Sequence, residues 1–84
     1  MITSRQVRAA RALLNWTQEM LADEALVALT ALKRLESANN LPVREDTRHQ
    51  VVKALEGAGI VFLDSERGEG VMLVGDSPRE TRKS

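Results

Sequence analysis

The sequence predicts a mainly α-helical domain of four short helices followed by a C-terminal β-hairpin. Along residues 1–59, apolar side chains recur every three or four positions, as they do on one face of an amphipathic helix. Beyond Gly59 the pattern changes to two short apolar runs, Ile60–Leu63 and Val71–Val74, which are typical of paired strands. A chain of 84 residues has room for one domain with a small core.

Capping residues mark the starts of the first two predicted helices. Thr3 can cap the first helix, with Gln6 three residues later as its capping-box partner. Thr17 can cap the second helix, and Glu19 then lies in the first turn, where the helix dipole favours a negative charge.

The later elements are predicted from residues that end helices. We expect the third helix at about Ala28–Ser37, because the following Asn39–Pro42 segment breaks helices. Asp46 or Thr47 can cap the fourth helix, and Gly59 provides a left-handed stop. We expect one domain at residues 1–74, with the hairpin at 60–74, and a flexible tail at 75–84 because that segment is polar and charged.

The charge of the chain gives little sign of its partners. It holds 12 Lys and Arg against 12 Asp and Glu, so it has no net charge, whereas nucleic-acid binders are usually basic. Residues 1–53 carry eight basic and six acidic side chains, and residues 54–84 carry four and six. The mild excess of basic residues in the first part is compatible with a DNA-binding surface.

The sequence lacks the residues that several other classes of site require. It has no cysteine, which excludes disulfides and thiolate zinc sites, and His49 is its one histidine. We therefore expect no enzyme activity, no cofactor and no metal. No apolar run approaches the ~20 residues that span a bilayer, and no signal-peptide core follows the N-terminus. We expect a cytoplasmic protein without a membrane partner.

A short break at residues 26–28 separates the second and third predicted helices. A tight turn between two short helices, the second amphipathic, is typical of a helix-turn-helix, whose second helix can enter the major groove of DNA. At about 100° per residue, one side of the third helix carries two hydroxyls and two cations: Thr30, Lys33, Arg34 and Ser37. An ordinary amphipathic surface helix with solvated cations would show the same periodicity.

Three segments resemble the Cro/repressor-type (Xre-like) helix-turn-helix family. The run Arg8–Ala22, which contains Trp16-Thr17-Gln18-Glu19, is similar to the opening of that family's domain. Val27–Glu36, which ends in Lys33-Arg34-Leu35-Glu36, is similar to its continuation, and Ala54–Phe62 to its later helix and strand. The resemblance covers residues 3–74 and implies a repressor-like four-helix domain.

The resemblance also implies roles for particular residues. Thr17 and Gln18 would contact phosphate at the start of the second helix, where free N–H groups favour an anion. Arg44 would lie near the sugar-phosphate backbone, and Arg11 and Glu36 would form a structural ion pair. The groove-facing side of the third helix would consist of Leu29, Thr30, Lys33 and Arg34.

These roles together predict a small DNA-binding transcriptional regulator. We expect an operator-binding repressor that acts as a homodimer on a palindromic site of double-stranded DNA, since one recognition helix reads few base pairs. The apolar strands of the hairpin leave an edge that needs covering, so we expect the dimer contact there.

Some residues depart from the family pattern and leave an alternative open. Leu26 replaces the usual turn glycine, and a left-handed conformation there would cost leucine about 1–2 kcal/mol. Ala28 replaces the usual capping serine, and Ala31 the usual threonine. In the alternative, exposed Leu26 and Leu29 dock on another protein, and the chain is a protein-binding regulator of the anti-activator or antitoxin kind.

Overall fold

The computed structural model of the chain describes residues 2–39 and 41–75. The elements in these ranges follow in the order α1 (Ser4–Leu14), α2 (Gln18–Ala25), α3 (Leu29–Glu36), α4 (Glu45–Gly57), β1 (Ile60–Ser65) and β2 (Gly68–Leu73). The predicted arrangement of helices followed by a two-stranded antiparallel hairpin is therefore confirmed. Except for Gly75, the predicted flexible tail lies outside the described residues.

The first two helices begin at the predicted caps. Gln6 N donates to Thr3 Oγ1 at 3.2 Å, and Thr3 N donates to Gln6 Oε1 at 2.9 Å, which completes the capping box of α1. Thr17 Oγ1 accepts a hydrogen bond from Met20 N at 3.1 Å at the start of α2.

The predicted cap of the fourth helix is wrong by two or three residues. Helix α4 begins at Glu45, and its N-cap is Arg44 rather than Asp46 or Thr47. Glu45 and Asp46 both lie in the first turn, where the positive end of the helix dipole stabilises their carboxylates. Gly59 follows the helix with a φ of 106°, in agreement with its predicted role as a stop.

The hairpin strands extend further toward the turn than the apolar runs indicate. The sequence places residues 64–70 between the strands, but β1 continues to Ser65 and β2 begins at Gly68. The register pairs Ile60 with Leu73 and Asp64 with Glu69. Main-chain hydrogen bonds continue the pairing without apolar side chains, so the apolar pattern detects only the part of the hairpin that covers the core.

All four helices and the first strand contribute to one buried core. Its buried members are Val7, Ala10, Leu21, Ala22, Ala25, Leu32, Leu35, Val51, Leu55 and Ile60. Phe62, Val71 and Leu73 pack partly against this core from the inner face of the hairpin. The opposite face of the hairpin is apolar too, and Val61 and Met72 are exposed on it.

Gln6 joins the hairpin to α1. Its Nε2 donates to the carbonyl oxygens of Leu63 at 3.0 Å and Gly70 at 2.9 Å, one on each strand. Because Gln6 Oε1 also accepts from Thr3 N, both ends of this buried amide are satisfied. The helix and the hairpin are therefore held in a defined relative position.

Candidate nucleic-acid interface

The connection Leu26–Ala28 joins α2 to α3 in three residues. Leu26 is in the left-handed region, with φ 60° and ψ 44°. Its N–H donates to Asp23 O at 3.3 Å, and Val27 N donates to Ala22 O at 3.1 Å, a pattern that satisfies the last carbonyls of a helix in the Schellman motif. Leu26 thus adopts a left-handed conformation that is unfavourable for leucine, and it is 83% exposed.

Helix α3 presents polar side chains to solvent. Thr30, Lys33 and Arg34 are exposed, whereas Leu32 and Leu35 on the opposite face are buried in the core. Lys33 and Arg34 have no carboxylate partner in the part of the chain that the structure describes. These three outer side chains are therefore accessible to a ligand.

A groove between α3 and the start of α4 brings three of the predicted site residues together. Thr30, Arg34 and Arg44 line this groove, whose volume is about 410 Å³. The Nε atom of Arg44 lies 3.7 Å from Asp46 Oδ1, and both side chains are largely exposed. Exposed ion pairs are weak, so the Arg44 guanidinium can still bind another anion.

Two predicted contact residues are less accessible. Leu29 is half-buried and packs against the core, so it is not the free apolar side chain that the alternative expects. Ser37 is half-buried at the end of α3, and its Oγ accepts a hydrogen bond from Asn39 N at 3.1 Å. Ala28 is the N-cap of α3 and makes no side-chain hydrogen bond there, because alanine has no polar side-chain atom.

The start of α2 carries the residues expected to contact phosphate. Thr17 is exposed, whereas Gln18 is half-buried. Gln18 Nε2 donates to Glu36 Oε1 at 3.0 Å, so its amide nitrogen is bound inside the protein. Any contact between Gln18 and a phosphate would compete with this internal hydrogen bond.

Arg11 and Glu36 lie together between α1 and α3, as the resemblance implies. Arg11 Nε and Nη2 donate to the two carboxylate oxygens of Glu36 at 2.7 and 2.9 Å. Hydrogen bonding to this carboxylate raises the pKa of Arg11 above its ordinary value. Arg11 Nη1 also donates to Trp16 O at 3.1 Å. The pair therefore fixes α3 against α1 and the start of α2.

Sequence reasoning assigned no role to two further arginines, Arg8 and Arg48. Arg8 Nη1 donates to the backbone oxygen of Glu36 and so caps the end of α3. Arg48 Nη1 donates to Ile2 O at 3.4 Å. The sequence did contain a signal for the role of Arg8. Arg8 precedes Arg11 by three residues, so the two arginines lie on one face of α1 and both can reach Glu36.

No protein-family model matches the sequence, and no curated protein matches it. Within residues 2–39 and 41–75, no three His, Asp or Glu side chains are grouped closely enough to hold a metal ion. None of the helices in those ranges has the length and apolar character needed to cross a membrane.

Proposed function

We propose that α2 and α3 form a helix-turn-helix and that the protein is a small DNA-binding transcriptional regulator. The observation that carries this proposal is the exposed polar face of α3, where Thr30 and Arg34 share a groove with Arg44. The Arg11–Glu36 pair holds this face in one orientation relative to α1. A rigidly held helix with free cations suits recognition of a DNA groove.

The residue types on this surface divide into two chemical roles. Lys33 and Arg34 can donate to guanine O6 and N7 in the major groove, and Thr30 can donate or accept. Arg44 and the N-terminal N–H groups of α2 near Thr17 suit phosphate oxygens, which position a protein without reading sequence. Base contacts from α3 would then supply the specificity.

We infer repression by a homodimer on a palindromic operator. The hairpin supports a dimer contact because its outer face exposes Val61, Leu63 and Met72. A small domain gains buried area by pairing through such a face. Two recognition helices related by a two-fold axis would read two half-sites separated by about one helical turn of DNA, ~34–36 Å.

The proposal is tested by selecting bound duplexes from a random double-stranded DNA pool with the full chain. We expect enrichment of a palindromic sequence. We also expect the logarithm of the binding constant to fall linearly with the logarithm of the salt concentration, because phosphate neutralisation releases counterions. Absence of salt-dependent, sequence-selective binding would overturn the proposal.

A protein-binding regulator is the second candidate, and Leu26 is the observation that favours it. Its apolar side chain is the most exposed of the large hydrophobic residues described, and it lies in a strained backbone conformation. A groove beside it is lined by Val27, Ala31 and Gln50. Under this candidate, Leu26 would anchor a partner protein, since apolar anchors in pockets dominate such interfaces.

A further inference from the structure

A further cavity of about 410 Å³ lies between the start of α1, the end of α3 and the segment leading to α4. Arginines from three helices line it: Arg5, Arg8, Arg34 and Arg48. No acidic side chain belongs to its described lining. Four arginines around one space are unexpected in a chain with equal numbers of basic and acidic residues.

Three of these four charges are not compensated by a carboxylate. Arg5 Nε lies 2.7 Å from Glu69 Oε2, so that charge is paired. Arg8, Arg34 and Arg48 have no carboxylate partner within residues 2–39 and 41–75. Like charges around a common space repel each other, so an anion bound between them would lower the free energy of the folded chain.

One hydrogen-bond donor of Arg48 also lacks an acceptor. Its Nη1 donates to Ile2 O, but its Nε is buried and has no partner in the described structure. Buried donors are nearly always satisfied, and leaving one without an acceptor is unfavourable. Arg48 also lines the cavity, so a rotation of its guanidinium group that brings Nε to the cavity wall would let a bound oxyanion supply the acceptor.

The remaining walls are consistent with the same kind of ligand. The first turn of α1 contains no acidic residue, and the positive end of its dipole lies at Ser4, which lines the cavity. Leu35, Leu41 and Val43 form an apolar part of the wall. The volume suits a small ligand, and planar guanidinium groups bind phosphate and carboxylate oxygens at two points.

We propose that this cavity binds an oxyanion, a phosphate group being the chemistry that it fits best. The group can come from a free small anion or from the backbone of DNA, since Arg34 also lies on the exposed face of α3. The proposal concerns the cavity itself and does not depend on sequence-specific DNA recognition.

The first test titrates inorganic phosphate into the full chain at constant ionic strength, with amide chemical shifts as the readout. We expect saturable shifts confined to amides around the cavity, including Ser4 and Ser37. Arg34→Gln and Arg48→Gln should each weaken binding about tenfold, the usual effect of losing a hydrogen bond to a charged group. Arg67→Gln, in the exposed hairpin turn, is the matched control and should bind as the unmodified chain does.

The second test replaces phosphate with a duplex of random sequence. If free phosphate has no effect, while the duplex shifts the same amides and Arg48→Gln weakens that binding about tenfold, the oxyanion belongs to DNA. If neither probe gives saturable shifts at the cavity, or if Arg67→Gln weakens binding as much as Arg34→Gln does, the proposal is overturned. Should Arg48→Gln fail to fold, the exposed Arg34→Gln variant decides the phosphate titration, where its predicted role in DNA contact plays no part. The phosphate titration contains no DNA, so failure of operator binding would leave its result intact.

Discussion

Arg11 on α1 and Glu36 at the end of α3 form a two-point hydrogen bond, with distances of 2.7 and 2.9 Å. The Glu36 side chain is 3% exposed and that of Arg11 is 21% exposed. Gln18 adds a third hydrogen bond to the same carboxylate at 3.0 Å. This carboxylate therefore joins three helices, so its contacts set the angle at which α3 meets the rest of the domain.

Arg11→Ala should destabilise the fold by about 3–5 kcal/mol, because it leaves a buried carboxylate without its cation. Urea unfolding followed by circular dichroism measures this change. Arg5→Ala is the matched control, since Arg5 is a largely exposed partner of Glu69 and its loss should have a much smaller effect. An Arg11→Ala protein that unfolds at the same urea concentration as the unmodified chain would show that the pair does not hold α3 in place.

Leu26→Gly should stabilise the protein by about 1 kcal/mol, because glycine adopts the left-handed conformation without the steric cost that leucine bears. Asn15→Gly is the matched control. Asn15 ends α1 with a φ of 59°, but asparagine tolerates this region, so the gain there should be smaller. Urea unfolding compares the stabilities of the two variants. A Leu26→Gly protein less stable than the unmodified chain would show that the backbone at Leu26 is not strained.

Acid should weaken the contact between α1 and the hairpin through Glu69. Hydrogen bonds from Arg5 and Thr3 hold the pKa of Glu69 below its ordinary value in the folded chain. The unfolded chain therefore binds this proton more readily, and the contribution to stability is present above the ordinary glutamate pKa of about 4.3. It is lost as the pH falls below that value and through the lower pKa of the folded state.

Carboxyl chemical shifts of Glu69 recorded across the acid range measure its pKa directly. Glu69→Gln should remove this part of the pH dependence of unfolding, whereas Glu66→Gln, in the exposed turn, should preserve it. A Glu69 side chain with the ordinary glutamate pKa would contradict the expected loss of stability in acid.

Local signals in the sequence predicted most of the elements but few of the contacts between them. Thr3, Thr17 and Gly59 act over three or four residues, so the starts and stops that they encode can be recognised without the fold. Gln6 shows the limit. Its capping-box role is local, but its hydrogen bonds to Leu63 and Gly70 cross 57 and 64 residues and depend on where the hairpin packs.

The candidate site shows the same division between local signals and contacts that depend on the fold. Periodicity placed Thr30, Lys33 and Arg34 on one side of a helix, and these side chains are exposed. It could not place Leu29, which lies on the flank of that helix and becomes half-buried only through packing against other elements. The cavity that includes Arg8 and Arg48 is formed by three helices, so no single segment of the sequence predicts it.

We expect a homodimer in solution that Met72→Glu converts to the 9.3 kDa monomer. Met72 is exposed on the outer face of the hairpin, and a charge buried in an apolar contact is unfavourable. Sedimentation at micromolar concentration distinguishes the two states. Leu26→Gly is the control, because it removes an exposed apolar side chain outside the hairpin and should leave the dimer intact. Sedimentation of the unmodified chain as a monomer alone would exclude a dimer formed before DNA binding.

Substitutions on α3 should separate the two candidate functions. Lys33→Ala and Arg34→Ala should weaken binding to selected DNA. They should also lower the slope of the logarithm of the binding constant against the logarithm of the salt concentration by about one unit for each phosphate contact removed. If one of these side chains contacts a base, its removal should instead cost about 1–3 kcal/mol of binding free energy and relax the base preference at one position of the site. Fluorescence anisotropy at several salt concentrations measures both effects.

Lys53→Ala is the matched control for these variants, since Lys53 is an exposed cation on α4 outside the candidate surface. Leu29→Ala should affect stability as well as binding, because Leu29 packs against the core. If the protein instead binds a partner protein, Leu26→Gly should abolish that binding while Lys33→Ala leaves it nearly unchanged. Weakening of DNA binding by Lys53→Ala as strong as that by Lys33→Ala would show that the cations act through their charge alone, and α3 would then lose its assignment as the recognition helix.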